Sequence, residues 1–506
     1  REFVELLGAI LTPREHGTRH FGAVSPLPWA CNPGRKMVGC FGPPLAPIDL
    51  RNMRNFEGSL FMRTIALAGT ILLTAAMALG ADEKTATPEL QNWGQWRGPL
   101  ANGVAPLGNP PTNWDENTNV KWKVKIPGKS TASPIVWGDQ IFLTTAIKTD
   151  REVELPPPPA DPPKNPFNIQ RPKNVYQFVI MSVDRRTGQT LWQQMVKEEV
   201  PHEGHHPDAS FASASPMTDG KQIYVSFGSR GVYCFDMSGN QKWTRDLGKM
   251  MIYNTFGEGS SPVAHGDSVV LNWDHQGGSF ITLLDARTGE TKWKVDRDEN
   301  TSWATPLVVD HAGRTQVIVN GTKRVRSYDL KTGDLIWECG GQVLAAIPCP
   351  VTDGNLVFAM TGYTGNALYA IPLDSTGDIT DTDKIAWKRK EPGTPYVPSP
   401  LLYGESLYFT GSNKGILSVL DAKTGEPVID RKRLEGIANI YASPVGAADR
   451  VYLTSREGNT LVLKRGSELE ILATNKLDDR FDASAAIVGN QIILRGNENL
   501  YCISAE

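Results

Sequence analysis

Short apolar stretches interrupted by polar turn residues recur along the chain, and most of them begin with a small residue followed by proline. The first, SPIVWGDQIFLT, begins at Ser133 and places apolar residues on both sides of a Gly-Asp turn. Later copies begin at Ser215, Ser261, Thr305, Cys349, Ser399, Ser443 and, without the proline, Ser484. Each copy predicts two short antiparallel strands.

Most of these starts are 41 to 50 residues apart, which is the length of a four-stranded propeller blade. The first interval is 82 residues because the first blade contains insertions. The pattern predicts an all-β, eight-bladed propeller over residues 119–506, with strands a, b, c and d running outward from the axis in each blade. Small residues begin strand a because eight such strands crowd the central channel.

A second motif, Asp-x-x-Thr-Gly-x-x-x-Trp, follows several strand pairs. Asp accepts hydrogen bonds from amides further along the turn, Gly adopts the left-handed conformation, and Trp fills the space between neighbouring blades. The residues assigned to this structural repeat are Trp122, Asp184, Gly188, Trp192, Asp285, Gly289, Trp293, Asp329, Gly333 and Trp337.

The last repeat contains only three strand-like stretches. Residues 119–128, NVKWKVKIPG, precede the first repeat, alternate in polarity and include Trp122. We predict that this N-terminal strand completes the last blade beside residues 500–504, because closing the ring removes its exposed strand edges.

Residues before the repeats suggest an exported protein. Residues 1–61 lack a helical or strand period and are interpreted as a mis-assigned extension, with Met62 as the true start. Residues 62–80 are typical of a signal peptide, with a short apolar run and small residues near its end. We predict cleavage near Gly80 and Ala81, an N-terminal segment over residues 81–118, and a periplasmic or extracellular location.

The net charge of the chain bears on two classes of partner, nucleic acids and membranes. The 52 Lys and Arg residues nearly balance the 55 Asp and Glu residues, giving a net charge of −3. We therefore expect neither nucleic acid nor, apart from the signal sequence, a membrane as partner.

One loop is rich in potential metal ligands. Residues 202–206, HEGHH, formally match the HExxH pattern of zinc proteases, but Pro201 and Pro207 leave no room for the helix that this motif requires. We reject the protease interpretation and predict a polar loop at the channel mouth that is a candidate to bind a metal or another ligand. The candidate metal ligands are His202, Glu203, His205, His206 and Asp208.

The loops from d to the next a, and those from b to c, gather on one propeller face around the channel mouth. Aromatic and charged residues there suit a sugar, a carboxylate-bearing ligand or a peptide. The alternative is that the rings pack beneath the loops and the charges are only solvated. The candidate ligand-binding residues are Phe211, Arg230, Glu258, Asp274, Trp303, Lys323, Arg324, Tyr396, Tyr441, Arg456 and Phe481.

A Pro-rich insertion, residues 147–175, separates strands b and c of the first blade. Its run of four prolines at residues 156–159 favours an extended polyproline arm. Such an arm either hooks a partner or a neighbouring subunit, or is a variable surface loop.

These motifs resemble the secreted bacterial PQQ-like, or BamB-like, propeller family. The resemblance covers about residues 92–506 and includes the Trp-containing turns, WGQWRGP at residues 93–99, and HEGHH with the ASASP that follows. It implies the fold more than the function, since the family contains both quinone-dependent dehydrogenases and non-catalytic scaffolds.

The dehydrogenases of this fold, as the resemblance implies, use adjacent cysteines, a Ca²⁺ ion held by Glu and Asn, and an Asp base. The chain has no Cys-Cys pair, although Glu258, Asn272 and Asp274 fall in predicted channel-facing loops. We favour a non-catalytic scaffold that binds an envelope or secreted protein, or a glycan, through its channel face or Pro-rich arm, with no cofactor expected. A PQQ- and Ca²⁺-dependent dehydrogenase with a divergent site is the alternative, and a metal-dependent hydrolase is third.

Overall fold

The computed structural model describes residues 87–156 and 166–505. Their strands form eight separate antiparallel sheets, and the predicted all-β, eight-bladed propeller is confirmed. The predicted extension 1–61 and signal segment 62–80 lie outside the described residues, as does the centre of the Pro-rich insertion. In the described ranges, no helix has the length and apolar character needed to cross a membrane.

Blades 1 to 4 are listed here from strand a outward. Blade 1 is Ile135–Trp137, Gln140–Glu152, Asn174–Asp184 and Thr190–Glu199. Blade 2 is Met217–Thr218, Gln222–Ser226, Val232–Asp236 and Gln241–Arg245. Blade 3 is Val263–His265, Ser268–Trp273, Ser279–Asp285 and Thr291–Arg297. Blade 4 is Leu307–His311, Arg314–Asn320, Arg324–Asp329 and Leu335–Gly340, with Gly377–Asp378 added in parallel at its outer edge.

Blades 5 to 8 follow the same order. Blade 5 is Val351–Thr352, Leu356–Thr361, Ala367–Pro372 and Trp387–Arg389. Blade 6 is Leu401–Tyr403, Ser406–Thr410, Ile416–Asp421 and Pro427–Arg433. Blade 7 is Val445–Ala447, Arg450–Thr454, Asn459–Lys464 and Ile471–Lys476. Blade 8 is Ala486–Val488, Gln491–Arg495, Asn499–Ser504 and Val120–Lys125. Among the described residues, the short 3-10 helices are Glu89–Gln91, Gly228–Arg230 and Tyr253–Thr255.

The core lies between neighbouring blades, where strands b and c are covered on both faces. Ser268–Trp273 is buried at every position, whereas the outer strand Val120–Lys125 alternates between exposed and partly buried residues. This difference explains why the inner strands read as continuous apolar runs and the outer ones as alternating patterns.

The Asp-Gly turns of blades 1, 2, 3, 4 and 6 each contact a tryptophan of the previous blade. Trp122 of blade 8 donates a hydrogen bond from Nε1 to the carbonyl of Arg185 in blade 1, at 3.0 Å. Its ring covers Gly188, where an added Cβ would lie 2.9 Å from the indole and where φ is +76°. Asp184 holds this turn by accepting from the N–H groups of residues 186 and 187, both at 2.9 Å. The turn therefore needs glycine for its conformation and for the close approach of the tryptophan.

Trp192, Trp243, Trp293 and Trp387 each donate in the same way to a backbone carbonyl in the next blade. Trp337 differs, because it donates to the Gln316 side chain of its own blade at 3.1 Å. The turn that follows it in blade 5 has lost the motif, and its Gly377–Asp378 segment pairs with the strand that contains Trp337.

The small residue at the start of each strand a belongs to a closed ring of hydrogen bonds. Its backbone N–H donates to the side chain of its counterpart in the next blade, at 2.8 to 3.2 Å. The ring runs through Ser133, Ser215, Ser261, Thr305, Cys349, Ser399, Ser443 and Ser484 and returns to Ser133. Crowding explains the small size of these residues, but the ring also explains why seven of the eight carry a hydroxyl.

Replacing Ser399 by alanine should lower the free energy of unfolding by about 1–3 kcal/mol, because the buried N–H of Cys349 would lose its acceptor. The shift of the urea midpoint measures this loss. Ser399→Thr should retain most of the stability, since Thr305 fills the same role in blade 4. Ser238→Ala, at an exposed turn position, is the control, and an equal effect at both sites would show that the ring adds no stability.

The segment before the first blade covers the free inner edges of several strands a. Trp93 pairs with Val136 of blade 1, and Gly94 accepts from the N–H of Thr218 in blade 2 at 2.7 Å. Further along, Val104 bridges to Gly446 of blade 7. These bonds satisfy backbone groups that the inner edges of the blades would otherwise leave unpaired.

Arg97 fixes this segment between blades 6 and 7. Its guanidinium is 2% exposed and donates to the carbonyls of Pro400 at 2.7 Å, Pro444 at 2.8 Å and Asn102 at 3.2 Å. Burial lowers the pKa of Arg97 to about 10, so the side chain stays charged at neutral pH. Arg97 therefore joins the N-terminal segment to two blades through one buried cation.

Candidate functional site

A cleft opens at the channel mouth, where the loops of blades 2 and 3 meet. Its walls include the rings of Phe211, Phe227 and Trp303, and its polar residues include Glu258 and Asp274. Four of the eleven residues predicted to bind a ligand line it, namely Phe211, Glu258, Asp274 and Trp303.

Glu258 is already bound by groups of the protein. Its carboxylate accepts from Nη1 of Arg230 at 2.8 Å, and from the N–H and the hydroxyl of Ser229, both at 2.7 Å. The guanidinium carbon of Arg230 lies 5.6 Å and 5.3 Å from the ring centres of Phe178 and Phe211. Arg230 therefore acts beneath the cleft wall as the counter-ion of Glu258.

Asp274 forms a fully buried ion pair at the other side of the cleft. Nε and Nη2 of Arg297 donate to its two oxygens at 2.8 Å and 3.1 Å, and the hydroxyl of Ser302 donates at 2.6 Å. Both charged side chains have no exposed surface. Burial opposes the charge of Arg297, but the adjacent Asp274 raises its pKa above the ordinary value. The bidentate pair leaves Asp274 unsuited to act as a free base.

The cleft residues, as arranged, do not fit PQQ with Ca²⁺. A calcium ion takes six to eight oxygen ligands, commonly carboxylates and amides. Both cleft carboxylates are engaged by arginines, and only the buried Oδ1 of Asn272 lacks a hydrogen-bond partner. A quinone site would therefore require the two ion pairs to open.

The HEGHH loop directs its polar groups to separate partners. His202 Nε2 bonds to the carbonyl of Met250 at 2.7 Å, and Glu203 accepts from the N–H of Ile252 at 3.1 Å. His205 Nδ1 bonds to the carbonyl of His206 at 2.7 Å. Burial lowers the pKa of His202 and His205 and raises that of Glu203, which favours their neutral forms.

The five candidate metal ligands are thus not gathered around one point. Within residues 87–156 and 166–505, no three His, Cys, Asp or Glu side chains are grouped to hold a metal ion. The loop instead packs on blades 2 and 3 and extends Asp208 toward the opposite part of the ring.

The carboxylate of Asp208 is bound by three donor side chains. We call these three residues, Arg456, Arg480 and Tyr441, the carboxylate cradle. Nη2 of Arg456 and Nη2 of Arg480 both donate to Asp208 Oδ1 at 2.7 Å, and the Tyr441 hydroxyl donates to Oδ2 at 3.0 Å. The guanidinium carbon of Arg456 lies 3.8 Å from the Tyr441 ring centre. Three donors from three loops of blades 6, 7 and 8 thus converge on one carboxylate.

Asp482 supports the cradle from below. It accepts from Nε of Arg456 at 2.5 Å and from Nε of Arg480 at 3.3 Å, and its side chain is 6% exposed. Burial raises its pKa to about 6 even though Arg456 opposes the shift. Asp482 therefore orients both arginines while leaving their Nη2 groups directed at Asp208.

Aromatic rings continue from the base of the Pro-rich insertion toward the mouth. Phe167 packs against Phe256 at 4.9 Å between ring centres, and Phe256 lies 6.2 Å from Tyr253. Burial, with Tyr253 nearby, raises the pKa of Tyr363, which stacks on Tyr396 at 4.7 Å. We call these five residues the aromatic rim. Phe167 and Tyr363 are its most open members, with exposed fractions of 40% and 36%.

Three other predicted residues lie elsewhere. Phe481 is fully buried and packs against Tyr501 at 5.6 Å. The backbone N–H of Lys323 donates to Glu299, and the Arg324 guanidinium bonds to Asp378 at the outer edge of blade 4. Loop position alone therefore did not indicate where these side chains point.

Sequence reasoning did not identify Arg480, Asp482, Phe167, Phe256 or Tyr363. Arg480 and Asp482 flank Phe481 in DDRFDAS, so their opposite charges were the available signal. Phe167 and Phe256 gave no such signal, because their contact joins the insertion to a loop of another blade.

Structural comparison finds similar solved structures of very different sequence. The quinohemoprotein alcohol dehydrogenase from Comamonas testosteroni has a TM-score of 0.54 and 10% identity, covering 86% of this chain and 84% of that chain. At such low identity this likeness shows the fold alone. BamB from Moraxella catarrhalis has a TM-score of 0.48 and 15% identity, covering 71% and 99% respectively. The computationally designed Ika8 protein has a TM-score of 0.46 and 14% identity, covering 67% and 95%.

Sequence comparison is more specific about the family. No curated protein sequence matches the chain significantly. A family model described as outer membrane protein assembly factor BamB matches residues 177–430 and 281–506, which together span more than half of the chain. The protein therefore belongs to this BamB-type family of PQQ-like propellers.

Proposed function

We propose that this protein is an exported, non-catalytic scaffold that binds an envelope or secreted protein at its channel mouth. The observation that carries the proposal is the aromatic rim, which links the base of the Pro-rich insertion to the mouth loops. Phe167 reaches the rim through Phe256, and Nε of Arg171 holds the same insertion against the carbonyl of Pro201 at 2.9 Å. Aromatic side chains with a polar edge are enriched in protein-binding surfaces.

The chemistry of the cleft supports a binding role over catalysis. Its two carboxylates are held in ion pairs, so neither is poised as a general base in this arrangement. The BamB-type family and the predicted signal peptide are consistent with an envelope partner. The PQQ- and Ca²⁺-dependent dehydrogenase is the second function to test, because Asn272 places an unpartnered buried oxygen in the cleft.

A photo-crosslinking amino acid at position 167 or 363 should capture a defined protein partner in the envelope of the producing cell. The same residue at position 191, an exposed site on the outer strand of blade 1, is the control. The proposal requires that positions 167 and 363 give the same crosslinked product and that position 191 does not give it. The product formed at position 167 should be lost in Tyr363→Ala, and the product formed at position 363 should be lost in Phe167→Ala. Equal capture at all three positions would overturn it.

The alternatives have distinct readouts. A glycan ligand would give no protein crosslink but would protect a fluorophore attached at position 363 from a quencher when envelope glycan fragments are added. A dehydrogenase would reduce an artificial electron-acceptor dye when the purified protein receives PQQ, Ca²⁺ and an alcohol or sugar. Dye reduction that disappears in Asn272→Ala would replace the scaffold proposal with the enzymatic one.

A further inference from the structure

We propose that the carboxylate cradle is a binding site for an acidic side chain of a partner peptide, and that Asp208 occupies it as an internal ligand. This inference rests on the proposed function, because it assigns the chemistry by which the channel mouth recognises its partner. A bound carboxylate with two charge-assisted bonds and one hydroxyl bond defines the ligand class.

The cradle residues and Asp208 come from different loops of the propeller. Tyr441, Arg456 and Arg480 come from adjacent loops of blades 6, 7 and 8, and the two arginines share Asp482 as support. Asp208 comes from the loop between blades 1 and 2, and it is 248 residues from Arg456. The cradle is therefore assembled without the loop that fills it.

The charge balance favours an exchangeable anion. Two arginines face two carboxylates while Asp208 is bound, but they face only the buried Asp482 when Asp208 leaves. Other ionisable groups nearby include Glu457, which accepts from the N–H and the side chain of Asn439, and His206, whose Nδ1 lies 3.9 Å from Asp208. Asp479 accepts from the backbone N–H groups of Arg480 and Asn499, so its carboxylate is already bonded away from the guanidiniums. The emptied cradle would thus present two guanidiniums against one directly bonded carboxylate, Asp482, with its donors already oriented.

Asp208 is also free to leave without dismantling its loop. The loop is anchored by the bonds of His202 and Glu203 to the backbone of residues 250 and 252, and none of these involves Asp208. The side chain of Arg480 is 43% exposed and that of Asp208 is 27% exposed, so the cradle is accessible from solvent. An incoming carboxylate can therefore replace Asp208 at the mouth.

The neighbouring rings favour a peptide as the carrier of this carboxylate. Tyr441 lies against Arg456 and close enough to Tyr396 to contribute to the raised pKa of that phenol, after the larger effect of burial. Tyr396 in turn stacks on the exposed Tyr363. An acidic residue in the cradle thus places flanking apolar side chains of the same peptide against the aromatic rim.

The test measures binding of a fluorescent hexapeptide of alternating Glu and Phe, acetylated and amidated at its ends, by fluorescence polarisation. Asp208→Asn in the full protein should bind it about tenfold or more tightly than the unmodified protein, since a competing charged ligand is removed. Adding Arg480→Gln should cancel this gain, and the matching Gln-Phe peptide should show no gain. Asp246→Asn is the control, because it makes the same change in net charge at an exposed loop position.

Unchanged affinity in a folded Asp208→Asn variant, or an equal gain in Asp246→Asn, would overturn the inference. A gain seen only with a free C-terminal carboxylate on the Gln-Phe peptide would also overturn the side-chain assignment and reassign the cradle to chain termini. Failure here with retained crosslinking at position 363 would leave the proposed function standing. Loss of that crosslinking with a retained gain in Asp208→Asn would overturn the proposed function and support the cradle as a carboxylate site.

Discussion

Replacing Arg97 by methionine is expected to lower the free energy of unfolding by about 2–4 kcal/mol. The buried carbonyls of Pro400 and Pro444 and the partly buried carbonyl of Asn102 would each lose a donor, and an unsatisfied buried group costs about 1–3 kcal/mol. Methionine also removes a buried charge, which recovers part of this loss. The expected change in the free energy of unfolding is therefore smaller than the summed cost of three unsatisfied carbonyls. Urea unfolding followed by tryptophan fluorescence measures the change.

Two controls separate this role from a general effect of charge. Arg97→Lys keeps the cation but lacks the planar fork, so it should recover less than half of the stability. Arg186→Met removes an arginine whose side chain is 66% exposed and should change stability by less than about 0.5 kcal/mol. If Arg97→Met were as mild as Arg186→Met, the N-terminal segment would not be fastened through Arg97.

Replacing Arg297 by methionine should destabilise the protein by about 3–5 kcal/mol, because Asp274 would become an unpaired charge with no solvent contact. The double replacement of Asp274 by leucine and Arg297 by methionine should be more stable than Arg297→Met alone, since it removes both buried charges. Thermal and urea unfolding of the three proteins compare them directly.

The repeats made the fold predictable because they are local. The small residue at each strand start gave the blade count, and Trp122 indicated the strand that pairs with Asn499–Ser504. The ring of hydrogen bonds was not predictable, since it depends on how neighbouring blades are aligned. Arg97 was part of a recognised motif, but no periodicity showed which carbonyls it would meet.

The candidate site was less predictable for the same physical reason. Phe211 and Trp303 lie in the predicted mouth loops and line one cleft, whereas the side-chain directions of Lys323 and Arg324 depend on carboxylates in other segments. Asp208 was chosen for its neighbouring histidines, yet its partners come from loops of blades 7 and 8, about 250 to 270 residues later in the sequence. Electrostatic partners brought together by ring closure have no sequence signature.

Ring closure has a consequence for the order of folding. Ser484 donates to Ser133 across 351 residues of sequence, and Val120–Lys125 must find Asn499–Ser504. The strand Val120–Lys125 therefore stays unpaired until the last blade has formed, and long-range pairing of this kind is slow. The unpaired strand edge is most exposed to aggregation and proteases in that interval, so a holding chaperone should bind chains truncated before residue 484 far longer than complete ones.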